Sequence, residues 1–180
     1  MESPSWARIG AANGSSYLEN MLVDVNGREL RIGVYGLAVA GGLSPTILLA
    51  RLGPQEAAAG VWTLPGGGLD WGEHPLDGLK REFMEETGLV PEAGRPLGVH
   101  SYSLTPDERH TPGPPIQVIQ VIYPVVAAGV PVNEVGGSTS EARWFLLSEL
   151  DSLPIVDLVK IALDLREASR PAPGPTPPTC

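Results

Sequence analysis

The sequence predicts an α/β fold, with a mixed sheet held between helices. Three observations carry this. Apolar runs of strand length recur on both sides of one amphipathic segment, Pro75–Thr87. A second amphipathic segment, 154–167, closes the patterned region. Glycine- and proline-rich turns punctuate the runs between them.

"MLVDVNGRELRIGVYGLAVA" reads as a hairpin, because Asn26-Gly27 suits a two-residue turn with positive φ. Its second strand, 31–40, is apolar enough to be central. "GGLSP" turns the chain, and "TILLAR" is a short buried strand. Residues 53–61 read as a loop, after which "WTLPGGG" enters a glycine-rich bend. Pro75 fits the first helical turn, where its missing N–H costs nothing. Gly88 fits a left-handed C-terminal cap. Gly78 inside the helix costs about 1 kcal/mol relative to alanine, and it is the kind of residue that permits a close backbone approach. Further strands are expected at 94–104, 116–127 and 142–147. The closing helix carries Ile155, Leu158, Val159, Ala162 and Leu163 at helical spacing.

The chain has 180 residues, 42% of them hydrophobic, which suits one domain with a real core. That domain is expected over 17–169. Residues 1–16, rich in Ser, Gly, Ala and Asn, are expected to be loosely held. In 170–180, Arg170 leads into "PAPGPTPPTC", whose five prolines predict an extended or disordered tail. A net charge of −9 argues against a nucleic-acid polymer as partner. Cys180 is the only cysteine, so no internal disulfide is expected. No apolar run reaches the roughly 18 residues of a membrane span. "MESPSWARIG" lacks a basic-then-apolar signal pattern. The expectation is a soluble cytoplasmic protein with no membrane partner.

"REFMEETG" crowds three acids, Glu82, Glu85 and Glu86, into one helical stretch. Glu82 and Glu86, at i and i+4, repel by a few tenths of a kcal/mol. At about 100° per residue, Leu76, Leu79 and Phe83 form the buried stripe, and the acids form a second stripe roughly 90° away. They therefore gather at the edge of the core. A solvated acidic face is the ordinary reading of such a cluster. Carboxylates gathered beside a rigid surface also suit a hard divalent cation such as Mg²⁺, which prefers oxygen ligands and can bridge to phosphate. Arg81 can reach Glu85 one turn on.

The acids belong to a longer pattern, "GGLDWGEHPLDGLKREFMEETGL". From Gly67 it runs through Glu73, Arg81-Glu82, Phe83, Glu85-Glu86 and Gly88 to Leu89. This resembles the signature box of the Nudix hydrolases at every fixed position; Phe83 stands where an aliphatic residue is commoner. The resemblance extends over about 20–167, with "SEARWFLLSELDSLP" similar to the end of such a domain. It implies an α/β/α sandwich with a loop-helix-loop catalytic box. It also implies cleavage of a nucleoside diphosphate linked to another moiety, with Mg²⁺ or Mn²⁺. Glu82, Glu85 and Glu86 match the metal-binding acids, and Gly67 or its neighbour Gly66 matches the bend whose carbonyl can join the ion. Arg81 and Glu73 match the supporting ion pair. The resemblance leaves the general base as a box glutamate, with Glu82 and Glu85 as catalytic candidates beside Arg81, or a distant loop acid, for which Glu141 is the first candidate and Glu134 the second. A homodimer is a family expectation.

The substrate end is less marked. Trp62, Trp71, Tyr35 and Tyr102 are candidates to stack on a base, with core packing the commoner role for each. Arg51 and Arg109 are candidates to pair with phosphate, as are His100 and His110, with surface roles the default. Pro106, in the loop 105–115, points weakly to ADP-ribose or a related NDP-sugar; nucleoside triphosphates, including oxidised ones, stand nearly level. Two competitors remain. A nucleotide-binding sensor would be favoured by lost box acids, and none is lost. An isoprenyl diphosphate isomerase would need a cysteine at the substrate, and Cys180 is in the tail.

Overall fold

The computed structural model describes residues 21–23, 27–54, 56, 58–133 and 138–170. Expectations for 1–16, for Glu134 and for the tail beyond Arg170 lie outside them. Among the described residues nine strands form one mixed sheet. They are β1 Met21–Val23, β2 Glu29–Ala40, β3 Thr46–Leu52, β4 Trp62–Thr63, β5 Gly66–Gly68, β6 Glu92–Ala93, β7 Gly98–Leu104, β8 Ile116–Val126 and β9 Thr139–Leu146. Helix α1 spans Pro75–Thr87 and α2 spans Asp157–Ala168.

Strand β2 is the spine. It runs parallel to β8 from Glu29 to Ala38 and antiparallel to β1, β5 and β3. Side chains alternate across a strand, and here the alternation divides the core. Val34, Ala38 and Leu48 pack with Leu79 and Phe83 of α1. Leu37, Ile47, Leu49 and Ile122 pack with Leu158, Val159 and Ala162 of α2. The two helices thus cover opposite faces of the sheet, an α/β/α sandwich. Gly36 is the seat for Phe83: a methyl there would lie 2.8 Å from the Phe83 ring.

Helix α1 has the expected bounds. His74 caps its start, its Nδ1 accepting from the Leu76 N–H at 3.2 Å. Gly88 ends it at φ 69°, donating to the Met84 carbonyl. Three expected elements differ. The strand expected at 94–104 begins only at Gly98, after Pro96, which has no N–H to give; a separate short strand, β6, precedes it, and both pair with β8. Helix α2 starts at Asp157 rather than at 154, because Pro154 and Val156 bond across to Trp62 instead. The Trp62 N–H donates to the Pro154 carbonyl, and the Val156 N–H donates to the Trp62 carbonyl. The glycine-rich bend holds two short strands, β4 and β5, rather than loop alone. No helix among the described residues is long and apolar enough to cross a membrane.

Candidate active site

The site is built where β5 meets α1. Gly66 has φ 140°, and a side chain there would fall 2.1 Å from the Val34 carbonyl oxygen; only glycine fits. Gly67 has a different reason. A Cβ on it would lie 2.4 Å from a carboxylate oxygen of Glu82. The bend must be bare so that the helix acids can rest on its backbone.

Arg81 organises these acids. Its Nε donates to Glu73 at 3.0 Å and one terminal nitrogen donates to the second Glu73 oxygen at 2.8 Å. The other terminal nitrogen donates to Glu82 at 2.6 Å. The terminal nitrogen that binds Glu73 also donates to the Gly68 carbonyl at 3.1 Å. A planar guanidinium can hold all of these at once, and a lysine cannot. Glu73 returns the constraint by accepting from the Asp70 N–H at 2.9 Å. The paired guanidinium holds the Glu73 carboxyl below its usual range, and Glu73 in turn raises Arg81. In Glu82, burial pushes the carboxyl up, against the lowering effect of Arg81.

The three box acids differ in setting. Glu86 is 3% exposed; it accepts from the Gly66 N–H at 2.8 Å and lies 3.4 Å from the Ser138 hydroxyl. Glu82 keeps 14% of its side chain exposed, against Arg81. Glu85 keeps 52% of its side chain exposed, 3.7 Å from Arg81. Among the described residues no three His, Cys, Asp or Glu side chains already converge as a cage. Their chemistry fits a divalent ion all the same. Carboxylates and glycine carbonyls are the hard oxygen donors that Mg²⁺ or Mn²⁺ takes, and a cation would offset the burial of Glu82.

The other expected site residues are scattered. Trp62 is 7% exposed, its ring edge-on to Phe145 with centroids 4.6 Å apart; it is a core residue and presents no stacking face. Arg109 is 10% exposed and bound to Glu29 and to the Pro114 carbonyl; it clamps the loop to β2 and is not turned to a phosphate. Arg51 and Glu141 stand opposite each other on β3 and β9, 3.9 Å apart. They share a face with Leu49, Ile47 and Phe145, the face toward α2. Tyr102 is 40% exposed on β7. The sequence reading missed Ser138 and the His74 cap. Ser138 lies 52 residues from Glu86, and no local spacing announces such a contact; a polar residue just before Pro75 was the available signal for His74.

Comparison with known proteins agrees with this geometry. The family model for the NUDIX domain matches residues 29–163. An ADP-ribose pyrophosphatase of Methanocaldococcus jannaschii is 34% identical over 94 residues, covering 52% of this chain and 51% of that protein. The chain thus matches about half the length of that curated relative. A MutT Nudix hydrolase from Burkholderia pseudomallei superposes with a TM-score of 0.62 at 26% identity, over 76% of this chain and 97% of that one. The Nudix domain of Shewanella oneidensis NrtR, solved with ADP ribose, shares the fold at a TM-score of 0.62 and 19% identity, over 76% and 86% of the two chains. With the family model spanning most of the chain and every fixed position of the box in place, this protein belongs to the Nudix hydrolase family.

Proposed function

We propose that this chain is a Mg²⁺- or Mn²⁺-dependent pyrophosphohydrolase that cleaves a nucleoside diphosphate joined to another moiety, with ADP-ribose or a related NDP-sugar as substrate. One observation carries the reaction class: the acid set is intact, with Glu82 and Glu86 against the glycine bend and Arg81 bonded to Glu82 and 3.7 Å from Glu85. The similarity to an ADP-ribose pyrophosphatase supports the substrate.

Glu82, Glu85, Glu86 and the backbone of Gly66 or Gly67 would hold the ion. Once bound, it would neutralise the diphosphate and acidify water. The protein's own groups do the rest. Arg81 and Glu73 fix Glu82, so little reorganisation is left for the reaction. Glu86 anchors the helix to the bend through the Gly66 N–H. Glu85, the most exposed acid, takes the proton from the attacking water. The water oxygen bonds to one phosphorus as the bridging P–O bond breaks in line with it, and the leaving phosphate departs with the pair. Glu141, paired with Arg51, is the less favoured base.

The test is product release from ADP-ribose, NDP-sugars, and normal and oxidised nucleoside triphosphates, with Mg²⁺, with Mn²⁺ and with chelator. Metal-dependent cleavage of ADP-ribose to AMP and ribose 5-phosphate is expected. If nothing is cleaved while one compound raises the melting temperature, the protein is a sensor and the hydrolase reading fails.

A further inference from the structure

Among the described residues, two strands longer than three residues have a single partner and so border the sheet. β9 pairs only with β3, and β7 only with β8. The two borders are built differently. β9 carries Glu141 and Arg143, the kind of charge that keeps an edge from pairing with another chain. β7, with the sequence GVHSYSL, has no Asp, Glu, Lys, Arg or Pro over its 7 residues, in a chain of net charge −9. Its side chains are open as well: Val99 is 60% exposed and Tyr102 40%. The charges stand just outside the strand. Arg95 lies three residues before its start and Asp107 three after its end, both exposed. Among the described residues neither makes an ion pair. The neighbours of Asp107 are engaged, Glu108 with the Thr105 N–H and hydroxyl, and Arg109 with Glu29.

We propose that the outer edge of β7 is the interface for a second copy of this chain, the two β7 strands pairing antiparallel about a two-fold axis at Ser101. An edge strand offers a row of backbone donors and acceptors that another strand can complete. A two-fold interface must be self-complementary, and β7 is. With Ser101 on the axis, His100 faces the partner's Tyr102, and Val99 faces the partner's Ser103. Within one chain the His100 and Tyr102 rings already lie 5.9 Å apart. Pairing continues that row of rings across the axis, on one face of the joined sheet. The same register brings Arg95 beside the partner's Asp107, once at each end. A parallel arrangement would set like charges together instead. The catalytic bend at β5 lies beyond β8 and β2, so the interface does not depend on the pyrophosphohydrolase reading.

Sedimentation equilibrium of the full chain over the micromolar range is expected to show a monomer–dimer equilibrium. Like charges directly opposed across a strand pair are destabilising. Ser101→Lys combined with Ser103→Lys is therefore expected to raise the dissociation constant at least tenfold. Both serines are exposed, so the circular dichroism spectrum should match wild type. Arg95→Glu and Asp107→Arg are each expected to weaken association several-fold. An equimolar mixture of these two variants should recover it, because the mixed pair has opposite charges at both ends. In a Cys180→Ser background, Ser101→Cys should form an intermolecular disulfide on mild oxidation, since directly opposed residues bring their Cα atoms within about 5.5 Å. A wild-type chain that stays monomeric throughout that range overturns the proposal. So does a dimer that the two lysines leave intact, which would put the contact elsewhere. A mixture that associates no better than its single variants rules out the antiparallel register and with it the interface as proposed.

Discussion

Arg81 and Arg109 are both partly buried guanidiniums that bind a carboxylate and a backbone carbonyl, and they serve different ends. Arg81 connects positions within one short motif: Glu73 is eight residues away, Glu82 one, and Gly68 thirteen. It keeps 29% of its side chain exposed, at the edge of a site. Arg109 joins Glu29 from 80 residues away, with both side chains 10% exposed. The first network aligns groups that must meet a substrate, and the second closes the loop 105–115 onto the start of β2. Burial sets the expected consequence. At Arg81 a substitution should be felt in turnover, and at Arg109 in stability.

The largest effect should come from the box acids beside the Arg81 network. Glu85→Gln and Glu86→Gln each keep shape and lose charge, and turnover should fall by about 10²-fold or more. The Glu86 amide can still accept from Gly66, so thermal unfolding should move little. Rates within a few-fold of wild type in both variants would remove the proposed metal site. Arg81→Lys should follow. It keeps the charge but gives up the fork that holds Glu73 and Glu82 together, so kcat should drop by at least tenfold with a nearly unchanged melting temperature. A variant that unfolds early yet turns over normally would mean that Arg81 is a structural residue like Arg109.

Arg109→Met should reverse that pattern. Removing one partner strands Glu29 as a buried charge, at a cost of about 3 kcal/mol or more. In a domain of this size the midpoint should fall by roughly 6–12 °C, with kcat of the folded protein within about twofold. Adding Glu29→Leu should recover much of the loss, because the unpaired charge is then gone. If Arg109→Met alone is thermally neutral, the clamp contributes nothing and the loop is held elsewhere.

The contrast also explains what could be read from the chain. The box was legible because its partners are close in sequence: helix periodicity placed the acids, and the glycines and Pro75 marked its ends. Arg109 carried no such signal. As a basic residue in a polar loop it was indistinguishable from a phosphate ligand, and its acid lies on another strand. Trp62 failed similarly, since sequence shows an aromatic next to the box but not that Phe145 occupies its ring. The start of α2 was placed too early because periodicity cannot register one parallel bridge, and Pro154 suits either a first helical turn or a strand end. Expectations held where a local spacing determined the contact, and missed where the partner came from a distant strand.

Gly78 tests the smallest difference, within the Arg81 network itself. Helix propensity alone would make Gly78→Ala stabilising by about 1 kcal/mol. The structure argues the other way. The new methyl would sit 2.4 Å from a Leu69 methyl and 2.8 Å from a Glu73 oxygen. Leu69 packs against the α1 core cluster, and Glu73 is held by Arg81, so neither gives way freely. Overpacking of this kind costs about 1–3 kcal/mol, enough to cancel or outweigh the propensity gain. The expected result is a net loss of up to roughly 2 kcal/mol, accompanied by reduced kcat as Glu73 is pushed off Arg81. A more stable variant with full turnover would show that Leu69 can move aside, and that the helix glycine is tolerated rather than required.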